Sequence, residues 1–205
     1  MPAIAVTGGI ACGKSTVWSS LLAVLRKNHF DAAGFCADSF SHQLLASDKD
    51  VRSRILGDFG QEATAPDGSI CRASLRKVVT DRPEKRKQLE RILHPIIREA
   101  WTHQAEIART SRSWFVAEIP LLFESDVQHL FDKVVTVACS TATQMQRLLA
   151  RAWTQKQIQE ILIAQTPTEV KILGAHHVIW TDVPKHIVGR QTALLAKSLL
   201  NTFAG

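Results

Sequence analysis

The sequence predicts an α/β fold, a five-stranded parallel sheet flanked by helices. Two observations carry that prediction. Five short β-branched or apolar runs are separated by longer stretches of helical periodicity, the order that builds parallel sheets. The first run is followed at once by a glycine-rich turn and then by helical periodicity, the way such a sheet opens a ligand site at its carboxyl edge.

Strands are expected at Ala3 to Val6, Ala32 to Cys36, Trp114 to Ile119, Val134 to Cys139 and His177 to Trp180. Helices are expected at Lys14 to Lys27, Phe40 to Leu45, Val51 to Phe59, Arg72 to Val79 and Glu84 to Ala108, the last broken near Pro95 because proline lacks the helical N–H donor. Further helices are expected at Ala142 to Arg151, Lys156 to Ala164, Thr168 to Leu173 and Pro184 to Leu200. About eighty residues separate the second strand from the third, far more than one crossover needs, so that interval reads as an inserted helical subdomain. A second insertion, about Ser140 to Gln165, reads as a segment able to close over a ligand.

The turn after the first strand is Gly8-Gly9-Ile10-Ala11-Cys12-Gly13-Lys14-Ser15, a P-loop at every required position. Its glycines let consecutive backbone N–H groups face phosphate oxygens, and the helix behind adds its N-terminal donors and positive dipole end. The nucleotide-binding segment is therefore Gly9, Ile10, Ala11, Cys12, Gly13, Lys14, Ser15 and Thr16. Lys14 neutralises the β- and γ-phosphates, and the Ser15 hydroxyl is the expected protein ligand of Mg²⁺. The ligand this predicts is a nucleoside triphosphate.

Composition narrows the class. The 205 residues are 45% apolar and suffice for one good core, with room for an inserted subdomain. No apolar run approaches the roughly 20 residues of a membrane span, and the first strand meets the P-loop too soon to be a signal peptide, so no membrane partner and a cytoplasmic location are expected. Cys12, Cys36, Cys71 and Cys139 are scattered without metal-ligand spacing and read as reduced thiols. The net charge of +6 is spread along the chain rather than gathered in one arm, which suits a polyanionic small substrate as well as a nucleic acid.

Asp38 follows the second strand and so falls at the carboxyl edge, where ligands bind. It is the candidate catalytic base for transfer to an alcohol, or a cap of the helix beginning near Ser39. Arg147 and Arg151, four apart on one predicted helix, are either cis-supplied arginine fingers or surface charges. Glu118 either holds Mg²⁺ through water or belongs to a segment that turns the chain. His94 meets the acceptor or caps, His176 and His177 read as structural, and Trp101, Trp114 and Trp153 read as packing residues.

Beyond the P-loop, the order of motifs resembles the dephospho-coenzyme A kinase family. The residues that carry it are Thr7 to Val17, Ala37-Asp38, Asp67-Gly68 with Arg72, Leu93 to Ile97, Pro120 to Glu124, Gln144 with Arg147 and Arg151, and Ile163-Ala164-Gln165 with Lys171. The resemblance implies a P-loop kinase core (1–58, 114–139 and 166–205), a helical CoA-binding subdomain (59–113) and a helical lid (140–165). It implies ATP- and Mg²⁺-dependent transfer of the γ-phosphoryl group to the 3′-hydroxyl of dephospho-CoA, giving CoA and ADP as the last step of CoA synthesis, with no nucleic-acid partner. By position, Asp38 resembles the family's base, Arg147 its lid arginine, and Arg72 and His94 its substrate side. The chain departs from the family pattern at Cys36, usually aspartate, at Ala152-Trp153 after the second lid arginine, and at His176 and Trp180-Thr181 near the last strand. Other readings left open are a kinase of another small alcohol or nucleotide, a nucleotide-binding protein with reduced catalysis, and a nucleic-acid-dependent NTPase.

Overall fold

The computed structural model describes residues 2–203. The sheet holds β1 (Ala3–Gly8), β2 (Ala32–Cys36), β3 (Trp114–Glu118), β4 (Lys133–Ala138) and β5 (His177–Trp180) in the order β2-β3-β1-β4-β5, every pair parallel. The five-stranded parallel sheet is as the sequence predicts. β1 and β3 are buried along their whole length, which is why they read as unbroken apolar runs rather than alternating ones. Strand β1 occupies the centre, with β3 on one side and β4 on the other. Its carboxyl end is thus the point where the strand order reverses, the usual mouth of a ligand site.

The chain divides into two compact units, one of the residues up to Cys36 and from Gln104 on, the other Ala37–His103. In the first unit, α1 (Lys14–Lys27) buries Val17, Leu21, Leu22 and Leu25 at helical spacing, and α9 (Lys185–Phe203) buries Val188, Thr192, Leu195, Ala196 and Leu199. These side chains join Ile4, Val6, Val116, Val135 and Val137 in one core. Trp114 fills part of it, edge-on to Phe30 (6.1 Å) and Phe203 (6.0 Å), the packing role expected for it. Helices α6 (Thr141–Leu149), α7 (Gln155–Ala164) and α8 (Thr168–Leu173) complete this unit. Ser140 caps α6 through the N–H of Thr143, and Thr154 with Gln157 forms a capping box on α7.

The second unit has its own core of Leu44, Leu45, Val51, Ile55, Phe59, Leu75, Val78, Ile92 and Leu93. It is built from α2 (Ala37–Ser47), α3 (Lys49–Phe59, capped by Asp48), α4 (Arg72–Asp81) and most of α5 (Pro83–Thr110). The break expected near Pro95 is absent: α5 continues through it. One missing donor leaves the neighbouring i→i−4 bonds intact, and the buried Ile92 and Leu93 anchor that turn.

Candidate active site

The turn between β1 and α1 has an unusual backbone. Gly8 and Gly13 sit at φ of +145° and +91°, and Ala11 adopts a left-handed φ of +59° despite its side chain. Gly13 occupies the cap position of α1 with no side-chain acceptor, and the first turn of α1 carries no acidic residue. The helix's leading N–H groups therefore lack a carboxylate or hydroxyl cap, as a phosphate-binding end requires. Lys14 Nζ donates to the Gly9 carbonyl at 2.9 Å, which folds its ammonium back over the loop.

Four side chains distant in sequence hold this loop. Gln165 Oε1 accepts from the N–H of Ile10 at 2.9 Å, and Gln144 Nε2 donates to the Ile10 carbonyl at 2.8 Å. Arg147 Nη1 donates to the Ala11 carbonyl and to Thr181 Oγ1, both at 3.0 Å, while Nη2 donates to the Thr181 carbonyl at 2.8 Å. Thr181 Oγ1 in turn donates to the Cys12 carbonyl at 2.8 Å. Together these bonds fix the left-handed turn at Ala11, whose backbone strain of order 1–2 kcal/mol must be offset. Arg147 is thereby committed to the loop and the end of β5. Arg151 lies beyond the end of α6 and is exposed, so the two arginines do not share a helix face as their spacing suggests.

Ser15 Oγ donates to Glu118 Oε1 at 2.8 Å, and the Cys36 thiol donates to Oε2 at 3.4 Å. Glu118 is buried at the last position of β3. A hydroxyl held against a buried carboxylate at the P-loop is a hard oxygen pair of the kind Mg²⁺ accepts, directly or through its waters. Among the described residues no cluster of three or more His, Cys, Asp or Glu could hold a metal.

A second tier supports Gln165. The next residue, Thr166, donates its N–H to Glu124 Oε1 at 2.9 Å, and the same oxygen lies 2.8 Å from the fully buried Lys171 Nζ. The two form a close, charge-assisted contact in the interior. Burial pushes the Glu124 carboxyl upward, but Lys171 and the Thr166 N–H outweigh it and leave it below the usual glutamate value. A lowered carboxylate stabilises the fold above its unfolded value near 4.5 and loses that contribution as pH falls through the folded value. Glu124→Gln, which strands the Lys171 ammonium in the interior, is expected to cost about 3 kcal/mol in urea unfolding at neutral pH and to flatten the acid limb. Glu124→Gln/Lys171→Met should recover most of the loss; if the double variant is no more stable than Glu124→Gln, the pair does not carry the effect.

In the other unit, Asp38 is exposed in the first turn of α2, two residues past the end of β2. Arg72 Nη2 lies 2.7 Å from Nε2 of His42, one helical turn after Asp38. Burial lowers the His42 pKa, Arg72 and Arg76 lower it further, and Asp38 partly opposes them. His42 thus favours the neutral form that accepts from Arg72. His94 is exposed and, with Lys87, Glu90, Arg91 and Pro95, lines an open cleft of about 440 Å³. His176 Nδ1 accepts from the Val134 N–H at 3.1 Å, the structural use expected of it. Sequence reasoning missed His42 and gave Gln144, Gln165 and Thr181 no bracing role, naming the glutamines only within the motifs of the resemblance and Thr181 only as a departure from the family pattern. Only the fold brings these three to the loop.

Comparison with known proteins accords with this geometry. The family described as CoaE, Dephospho-CoA kinase, matches residues 2–184. A dephospho-CoA kinase of Bacillus anthracis is 36% identical over 195 residues, covering 94% of each chain. One from Burkholderia pseudomallei (strain K96243) is 34% identical over 184 residues, covering 89% of this chain and 87% of the relative. Among solved structures, TT1252 from Thermus thermophilus superposes with a TM-score of 0.73 at 26% identity, over 100% of this chain and 99% of that one. A dephospho-CoA kinase from Campylobacter jejuni shares the fold with a TM-score of 0.68 at 24% identity, over 98% of each chain.

Proposed function

The chain belongs to the dephospho-CoA kinase family, and from this we infer that it is an ATP-dependent phosphotransferase that moves the γ-phosphoryl group of ATP to the 3′-hydroxyl of dephospho-CoA, giving CoA and ADP. The observation that supports the reading most directly is the braced P-loop, with Lys14 over Gly9 and the start of α1 without a side-chain cap.

In this reading the backbone N–H groups of the segment Gly9 to Thr16, apart from those of Ile10 and Cys12 that bond within the protein, receive the triphosphate, and Lys14 neutralises the charge that spreads over the γ-phosphoryl oxygens as the bond to ADP loosens. Ser15 and Glu118 would hold Mg²⁺, which supplies further charge neutralisation when bound. Asp38 orients the ribose hydroxyl and accepts its proton late, since a loose transition state asks little of the base until the P–O bond forms. Arg72 and His94 contact the acceptor, whose phosphates suit a guanidinium. Arg147 serves mainly to hold the loop, and its charge beside Ala11 adds to the field on the phosphates. The division into a nucleotide core, an acceptor-binding helical subdomain over 59–113 and a lid over 140–165 belongs to the same proposal.

The test is ADP release from Mg·ATP with and without dephospho-CoA, the product identified by mass. Dephospho-CoA-dependent ADP with equimolar CoA is the expected result. ADP formed equally without the acceptor, or with adenosine, a nucleoside monophosphate or shikimate in its place, would overturn the assignment.

A further inference from the structure

The sulfurs of Cys12, inside the P-loop, and Cys139, directly after β4, lie 3.4 Å apart, with the Cys139 thiol donating to Cys12. Both are free and buried, and both belong to the apolar core beneath the loop. Cys12 Sγ also lies immediately under Gly9, where an added Cβ would meet it at 3.2 Å. The mechanism above uses neither thiol.

We propose that Cys12 and Cys139 form a redox modification site, oxidised by a hydroperoxide to an intramolecular disulfide that closes the nucleotide site. Cys12 is the attacking sulfur. The hydrogen bond from Cys139 lowers its pKa to about 7 against the opposing effect of burial, with the charges of Lys14 and Arg147 assisting. Cys139 is pushed upward by the same contact and by burial, so it keeps its proton. The Cys12 thiolate attacks the terminal peroxide oxygen, the O–O bond breaks, and Cys12 becomes a sulfenic acid as hydroxide, or alkoxide, leaves. Cys139 sulfur then attacks the Cys12 sulfur, the S–O bond breaks, and the Cys139 proton leaves with the hydroxide as water. With hydrogen peroxide the sum is two thiols and one peroxide to one disulfide and two waters, and a dithiol reverses it.

The effect on nucleotide rests on the reading of the P-loop given above. A disulfide needs its sulfurs about 2.05 Å apart, so the pair must close by more than 1 Å. Cys139 follows a strand paired on both sides, between β1 and β5, and has little room to move. Cys12 sits in a turn, held by the Thr181 hydroxyl on its carbonyl and a long 3.3 Å bond from its N–H to Gly9. The loop therefore yields, and the N–H groups that face phosphate shift with it. By linkage, bound ATP must oppose the disulfide as strongly as the disulfide opposes ATP. With Cys12 0% and Cys139 2% exposed, the oxidant must be small, a peroxide rather than a bulky disulfide such as that of glutathione.

The experiment treats the reduced protein with hydrogen peroxide, with and without saturating Mg·ATP. It reads a Cys12–Cys139 cross-linked peptide by mass and ATP affinity by calorimetry. Expected are the cross-link, at least a tenfold loss of ATP affinity restored by dithiothreitol, and suppression of the cross-link by Mg·ATP. Cys139→Ala should give no cross-link and should stop at the Cys12 sulfenic acid, which dimedone traps and the mass of the peptide shows. Oxidation of the more accessible Cys36 and Cys71 with Cys12 and Cys139 left as thiols would overturn the proposal, as would a cross-link that leaves ATP affinity unchanged. The peptide map makes no reference to nucleotide, so a reduced protein that binds no ATP counts against the P-loop reading and not against the disulfide.

Discussion

Asp38→Asn is expected to lower kcat by about 10²- to 10⁴-fold, the range for loss of a positioned general base, while leaving ATP affinity nearly intact. Asparagine keeps the size and hydrogen-bonding shape of aspartate, so α2, which starts before residue 38, should begin as before. What it loses is the ability to take a proton. Because the loose transition state of phosphoryl transfer leaves most of the work to charge neutralisation by Lys14 and the P-loop, the fall should lie toward the lower end of that range. Steady-state kinetics with calorimetric ATP binding would separate the two functions. The helix starts at Ala37, so Asp38 is not the cap that one sequence reading makes it. A kcat within threefold of the parent, with unfolding stability reduced by about 0.5 kcal/mol in Asp38→Ala, would assign Asp38 to charge stabilisation of the first turn of α2 instead.

Gly8→Ala should remove the folded protein from solution. A Cβ on Gly8 would lie 2.0 Å from the carbonyl oxygen of Val137 and 3.0 Å from its carbon, and the φ of +145° is one that L side chains rarely adopt. The obstacle is backbone: Gly8 and Val137 are register partners in the β1–β4 ladder, so relief requires parting two central strands. A loss of at least about 4 kcal/mol follows, at the extreme of single substitutions. Gly9→Ala is the control. Its Cβ would meet the Gln144 amide at 2.6 Å, the far end of a side chain that can swing away. That variant should fold and lose nucleotide affinity, because Gln144 would leave the Ile10 carbonyl. Equal stability of the two in urea would refute the argument.

Much of this was legible in the chain. Period and punctuation marked all five strands, β2 and β5 to the residue, because short apolar or β-branched runs stand between longer stretches of helical period even where, as in the partly exposed edge strands β2 and β5, burial is incomplete. The P-loop residues were equally plain, since phosphate needs glycines, lysine and hydroxyl at fixed spacing. Pro95 misled because a local rule about one donor was applied where a long helix anchored in a core tolerates the loss. Arg147 read as an arginine finger or a surface charge, and by resemblance as a lid arginine, but spacing along a helix says nothing of the Ala11 carbonyl and Thr181 that claim its guanidinium. Gln144 and Gln165 stood in the motifs that carry the resemblance, but their bonds to Ile10 stayed hidden for the same reason: that partner lies more than a hundred residues away.

Those long separations bear on how the protein is made. The P-loop is synthesised before the parts that brace it: β4 pairs with β1 only after residue 133, and Thr181 reaches the Cys12 carbonyl across 169 residues. At ordinary rates of synthesis, about 5–20 residues per second, that gap lasts roughly ten to thirty seconds. Throughout it the nascent loop has the composition of a phosphate cradle without the braces that shape one. ATP should therefore do nothing for the growing chain and should steady the finished one, so that nucleotide acts on this protein as a late partner in folding and never as a template for it.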